Sequence, residues 1–188
     1  MHYNHPRRFA KTLTQSEAKV TSLQHSANPR HRYTVIPRVL IFPEYDGKVL
    51  LLKGAPTKPL WPNLYNGIGG HVEPGETIKQ AALRELEEET AIQAGDVKLC
   101  GMVNIRLRGD MADIMLFVFI CAVDSPMVQS GPEGELQWHA WDNLPQADLM
   151  PDLPILLPRI RQTADSRRPF YALYTYDSQG SLEITFTE

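Results

Sequence analysis

The chain has 188 residues, 43% hydrophobic and 22% charged, with a formal net charge of −3. That length supports one hydrophobic core without disulfides or a structural metal, so any metal here would serve chemistry. No apolar run approaches the ~18 residues of a membrane helix, and Cys100 and Cys121 sit in apolar segments without zinc spacing, as the reduced thiols of a cytoplasmic protein do.

Residues 1–32 hold Arg7, Arg8, Lys11, Lys19, Arg30 and Arg32 against Glu17 alone, a charge of +5 that leaves −8 for the remainder. The asymmetry marks a basic accessory arm in front of one domain spanning 33–188. The arm lacks the apolar stretch of a secretory signal, and it is too poor in aromatics to argue for nucleic-acid binding. Thr14 and Glu17 make a capping-box pair for a short helix running toward Gln24. Whether the arm covers a sheet edge or joins a homodimer is left open.

From residue 33 the pattern becomes regular. Residues 35–42 and 48–53 alternate as strands around a turn at 43–47, which makes a hairpin. Segment 54–66 contains Pro56, Pro59 and Pro62 and is expected to be a loop, long enough to carry function. A glycine-rich turn, 67–75, leads into a helix at 77–90, with Thr77 and Gln80 as a capping box and Leu83 and Leu86 facing the core. Strands follow at 98–108, 113–123 and 136–141, then a helix at 153–163 that Pro158 weakens, and a final hairpin of 170–176 and 182–187. Strands outnumber helices, so the expected class is α+β: a mixed β-sheet with α-helices packed on it.

The first of these helices carries Arg84-Glu85-Leu86-Glu87-Glu88-Glu89 near its C-terminus. Stability alone does not favour that run, because the helix dipole is negative there and like charges one turn apart repel. A cation would reverse the sign. Glu85, Glu88 and Glu89 fall within about 100° of one another on the helix, converging on one point as hard oxygen ligands for Mg²⁺ or Mn²⁺. Ala81 on the same face leaves room for the ion, and Arg84 reaches Glu88 to hold its orientation. The plainer alternative is a solvated acidic face.

Gly70, five residues, Glu76, seven residues, Arg84-Glu85-Leu86, one residue, Glu88-Glu89, one residue and Ala91-Ile92 resembles the box of the Nudix hydrolases, with eight of nine defined positions matched. The exception is Ala91, where the family has the Gly that caps a helix in the left-handed conformation. An Ala there should cost about 1 kcal/mol or end the helix differently. The resemblance implies a Nudix fold with the sheet sandwiched between helices, and hydrolysis of nucleoside diphosphate-linked substrates. It also implies metal ligation by Glu85, Glu88, Glu89 and the Gly69 carbonyl. Glu85, ahead of Glu88, would accept the proton of the attacking water. A further metal-binding acid from a later loop is best matched by Glu133, with Glu135 in reserve.

Asn66, just before the glycines, resembles the purine-reading Asn of MutT-type nucleoside triphosphatases, including those that clear oxidised purine nucleotides. An amide offers donor and acceptor side by side, although Asn66 also suits turn chemistry. Leu149-Met150-Pro151-Asp152-Leu153 resembles the Trp-Pro-Asp-Asp stretch of such enzymes, with Met150 for the stacking Trp, Asp152 for the first acid and Leu153 for the second. Lys53 is the candidate for the triphosphate. The reading at this point is a purine nucleoside triphosphate cleaved to monophosphate and pyrophosphate. An ADP-ribose or nucleotide-sugar diphosphatase is the alternative, and a nucleotide-sensing module the non-enzymatic one. Trp138 and Trp141 read as core aromatics and His71 as a solvated loop residue.

Overall fold

The computed structural model describes residues 33–109, 111–166 and 168–187. The basic arm and its expected helix lie outside the described residues. The elements in chain order are β1 (Val35–Tyr45), β2 (Lys48–Gly54), β3 (Tyr65–Asn66), α1 (Ile78–Thr90), β4 (Lys98–Ile105), β5 (Asp113–Ala122), β6 (Gly134–Ala140), α2 (Leu153–Ser166), β7 (Phe170–Tyr176) and β8 (Leu182–Thr187). A short 3₁₀ turn, Gln146–Asp148, precedes α2.

The strands form one sheet in the order β3-β2-β1-β5-β4-β7-β8, with β6 paired to β2. It is mixed: β1 runs parallel to β5 and β4 parallel to β7, while the remaining pairs are antiparallel. Successive β1 side chains point to opposite faces and so enter different cores. Val39 and Ile41 pack under α1 with Ala81, Ala82 and Leu86, whereas Leu40 and Phe42 pack under α2 with Leu153, Leu156, Leu157 and Ile160. The sheet is therefore sandwiched between helices, as the α+β reading expected. Burying Leu86 alone is worth about 1.5–3 kcal/mol.

β1 and β2 pair only beside their turn, at Glu44 opposite Val49 and Tyr45 opposite Lys48. Where β2 peels away, the glycine-rich segment takes the freed edge of β1. The Val39 N–H donates to the Gly70 carbonyl at 3.0 Å, Ile41 to Ile68 at 2.7 Å and Val72 to Pro37 at 3.1 Å. The turn before α1 is thus built into the sheet.

Three local outcomes differ from expectation. Tyr65–Asn66, expected within a loop, is a two-residue strand on β2, too short to leave a period in the sequence. Pro158 does not end α2, because Leu153, Leu156, Leu157, Ile160 and Thr163 keep the i, i+3, i+4 stripe buried while Pro158 stays on the exposed side. Ala81 is fully buried against the sheet, so it leaves no room for an ion.

Candidate active site

The capping box at the start of α1 forms as expected. The Gln80 N–H donates to Thr77 Oγ1 at 3.2 Å and the Thr77 N–H to Gln80 Oε1 at 2.8 Å. At the other end Ala91 itself adopts the left-handed conformation, φ 61° and ψ 14°, and its N–H donates to the Glu87 carbonyl at 2.9 Å. Buried Thr90 holds this exit, its hydroxyl donating to the Leu86 carbonyl at 2.5 Å and accepting the Ile92 N–H at 3.1 Å. The helix thus ends where a Gly would end it, at about 1 kcal/mol of backbone strain.

The glutamates of α1 face the glycines directly. A Cβ on Gly70 would collide with the Glu85 carboxylate, and one on Gly69 with the Val39 carbonyl. Only glycine permits this approach. The Gly69 N–H donates to Glu89 Oε2 at 3.3 Å. Arg84 ties the rest together: Nη2 and Nε meet the two oxygens of Glu76 at 2.8 and 3.1 Å, Nη1 meets Glu85 at 2.9 Å and Glu88 at 3.0 Å, and Nη2 also meets the His71 carbonyl at 3.0 Å. These bonds, to Glu76 foremost, raise the Arg84 pKa and lower that of Glu76.

The three glutamates do not converge on a single point. Glu85 and Glu89 lie over the glycines, and the Arg84 nitrogen that meets Glu85 also meets Glu88, whose side chain is 59% exposed. Among the described residues no three acids, histidines or cysteines stand close enough to hold an ion as they are. Each carboxylate instead meets a protein donor, Arg84 for Glu85 and Glu88 and the Gly69 N–H for Glu89. Burial, then the charges of Glu85 and Glu133, push the Glu89 pKa up to about 7, against the Gly69 N–H and Lys58, which lower it. A buried carboxylate crowded by two others fits a hard divalent cation, and the residues present suit one.

Glu133 is close to this group, whereas Glu135 pairs across from Lys53 on the β6–β2 ladder and is exposed. The segments that carry the candidate substrate residues run beside one another at Tyr65. Lys53 lies opposite Tyr65, 5.1 Å above its ring, and approaches Asp148 at 3.9 Å. The Met150 N–H donates to the Tyr65 carbonyl at 3.0 Å, and Leu149 bridges Tyr65 in parallel. Asp152 occupies the N-cap of α2, its carbonyl accepting from Ile155 and Leu156, and burial raises its pKa. The Asn66 side chain accepts the N–H of Gly67 at 2.8 Å, the turn chemistry that its sequence allowed. Leu153 is fully buried in the core under α2.

Other candidates take structural places. Trp138 donates to the Pro126 carbonyl, Trp141 donates to Glu44, and His71 contributes its backbone to Arg84. Burial raises the thiols of Cys100 and Cys121 to about 11 and about 12, so neither is a nucleophile. Sequence reasoning missed two residues. Tyr174, on β7, lies against Asp152 with its buried hydroxyl lacking a well-aligned partner. Lys58 joins Glu133 at 2.6 Å, and its place between Pro56 and Pro59 in a loop suspected of function was the available signal.

A family model described as the NUDIX domain matches residues 34–160. The chain is 30% identical over 120 residues to the oxidized purine nucleoside triphosphate hydrolase of Mus musculus, covering 63% of this chain and 73% of that protein. Its fold is similar to that of a MutT protein from Bacillus halodurans, with TM-score 0.66 and 22% identity over 81% of this chain and 97% of that one. It is also similar to the NUDIX domain of NrtR from Shewanella oneidensis, solved with ADP ribose, with TM-score 0.60 and 19% identity over 81% and 99% of the two chains. This protein therefore belongs to the Nudix family, as a hydrolase of phosphoanhydride bonds in nucleotide substrates.

Proposed function

We propose that the substrate is a purine nucleoside triphosphate, oxidised purines included, cleaved to the monophosphate and pyrophosphate. The observation that supports this reading is the hydrogen bond from Met150 to Tyr65, which joins the segment that carries Asp152 to the two-residue strand that carries Asn66. Asn66 lies four residues before Gly70 in the chain, so one short segment carries both the candidate base reader and the turn that faces the glutamates. The relationship to the mouse enzyme supports the same choice.

In this reading Glu85, Glu88, Glu89, Glu133 and the Gly69 carbonyl hold Mg²⁺ or Mn²⁺. The bound cation would neutralise phosphate oxygens and make the attacking water acidic. Glu85, ahead of Glu88, accepts the water's proton, and Arg84 keeps both carboxylates oriented through its anchor on Glu76. Asn66 and Asp152 read the base edge, Met150 packs against it and Lys53 meets the phosphate chain. Because Leu153 is buried where a second acid would stand, base reading rests on the first two alone.

A site built around a base edge discriminates strongly, since a mismatched base leaves buried polar groups unpaired at about 1–3 kcal/mol each. Asn66→Ala should therefore raise KM for purine triphosphates by about tenfold or more, leave pyrimidine triphosphates nearly unchanged and keep the metal requirement. Steady-state assays on the four triphosphates measure this. The ADP ribose bound to the Shewanella domain favours a second reading, a diphosphate-linked substrate. In that case Asn66→Ala would not distinguish among bases, and activity would follow the linked group.

A further inference from the structure

Lys58 lies in the loop between β2 and β3, and two glycines bring it to the acids. Gly134 stands opposite Gly54 at the end of the β6–β2 ladder. A Cβ on Gly134 would run into the Lys53 carbonyl, and one on Gly54 would touch the Lys58 stem at 3.5 Å. The loops close on each other there. The Ala55 N–H donates to the Glu133 carbonyl and the Lys58 N–H to the Ala55 carbonyl, each at 3.0 Å. The Lys58 ammonium then meets Glu133 Oε2 at 2.6 Å, and its charge reaches Glu89.

The two cations at this site are in different positions. Arg84 makes five hydrogen bonds, to Glu76, Glu85, Glu88 and the His71 carbonyl, which uses its guanidinium fully. It has nothing left for a phosphate. Lys58 meets one carboxylate among the described residues, which leaves two of its three N–H donors for another anion. Its side chain is 33% exposed and that of Glu133 53%, so the pair is weak and readily exchanged.

We propose that Lys58 is a phosphate-binding residue, held on Glu133 until a divalent cation takes that carboxylate and then turned to the phosphates of the substrate. The proposal rests on the metal and nucleotide reading above. It makes Lys58 a competitor of the bare metal and an ally of the metal with a polyphosphate. Those two effects have opposite signs, and a merely structural lysine would not produce both.

The test is calorimetric titration of the full chain with Mn²⁺ alone, and then with inorganic pyrophosphate at saturating Mn²⁺. Lys58→Met should bind Mn²⁺ about two- to fivefold more tightly than wild type. It should bind pyrophosphate about tenfold or more weakly, and Lys58→Arg should recover most of that loss. Unchanged or weaker Mn²⁺ binding by Lys58→Met, or unchanged pyrophosphate binding, overturns the proposal. Neither titration needs turnover, so a wild type that cleaves no nucleotide would refute the functional reading while these measurements still decide Lys58.

Discussion

The Glu85 carboxylate occupies the space that a Cβ on Gly70 would fill. Chain direction, helix phase and glycine identity all meet at this contact, since α1 can present Glu85 to the turn only because residue 70 has no side chain. Gly70→Ala should displace the carboxylate and lower kcat by about 100-fold, as misplacement of a reacting group by an ångström does. The cost in stability should be only about 1 kcal/mol, because the colliding atoms end a flexible side chain. Steady-state kinetics beside thermal melting separate the two effects.

Arg84 binds three glutamates at once, and Lys cannot reproduce that fork. Arg84→Lys should lower kcat by about 10–100-fold, the usual cost of losing a group that orients ligands, while KM changes little. Mn²⁺ titration of the variant should show weakened metal binding in parallel.

The legible part of the molecule was the part whose chemistry is written in consecutive residues. The box from Gly70 to Ile92 specified a loop, a capped helix and an acid face, and Thr77–Gln80 capping is present as its spacing required. The final hairpin was readable from two strand-forming runs around a turn at 177–181, and Phe170, Ala172 and Tyr174 of its first strand are buried in turn. What stayed hidden depends on contacts between distant segments. Two-residue β3 exists only because β2 offers it an edge, and Tyr174 reaches Asp152 only through the packing of β7 under α2. The reach of Arg84 to Glu88 was legible from their i, i+4 spacing, whereas its bonds to Glu76 and to the His71 carbonyl depend on how the turn folds back over the helix.

Glu89 makes metal-free stability depend on pH. Burial raises its folded pKa from 4.5 to about 7. Below about pH 4.5 both folded and unfolded states hold the proton and no cost arises. Between about 4.5 and 7 the unfolded chain releases it while the folded chain keeps it, so stability falls as pH rises, and above 7 the full cost remains. Discounted for its partial exposure, that cost is about 1–2 kcal/mol. Glu89→Gln should therefore raise the Tm of the metal-free protein by about 2–8 °C near pH 8 and leave it unchanged near pH 4. Melting curves in chelator across that range check the sign.

Product identity tests the central claim most directly. Wild type and Glu88→Gln are incubated with Mg²⁺ and a panel of nucleoside triphosphates, nucleotide sugars, ADP-ribose, dinucleotide cofactors and capped RNA, and the products are read by mass spectrometry. The account predicts that wild type converts purine triphosphates to monophosphate and pyrophosphate, that it does so faster than it cleaves any diphosphate-linked compound, and that folded Glu88→Gln cleaves none. Binding without turnover by wild type, or release of products only from diphosphate-linked compounds, would contradict it.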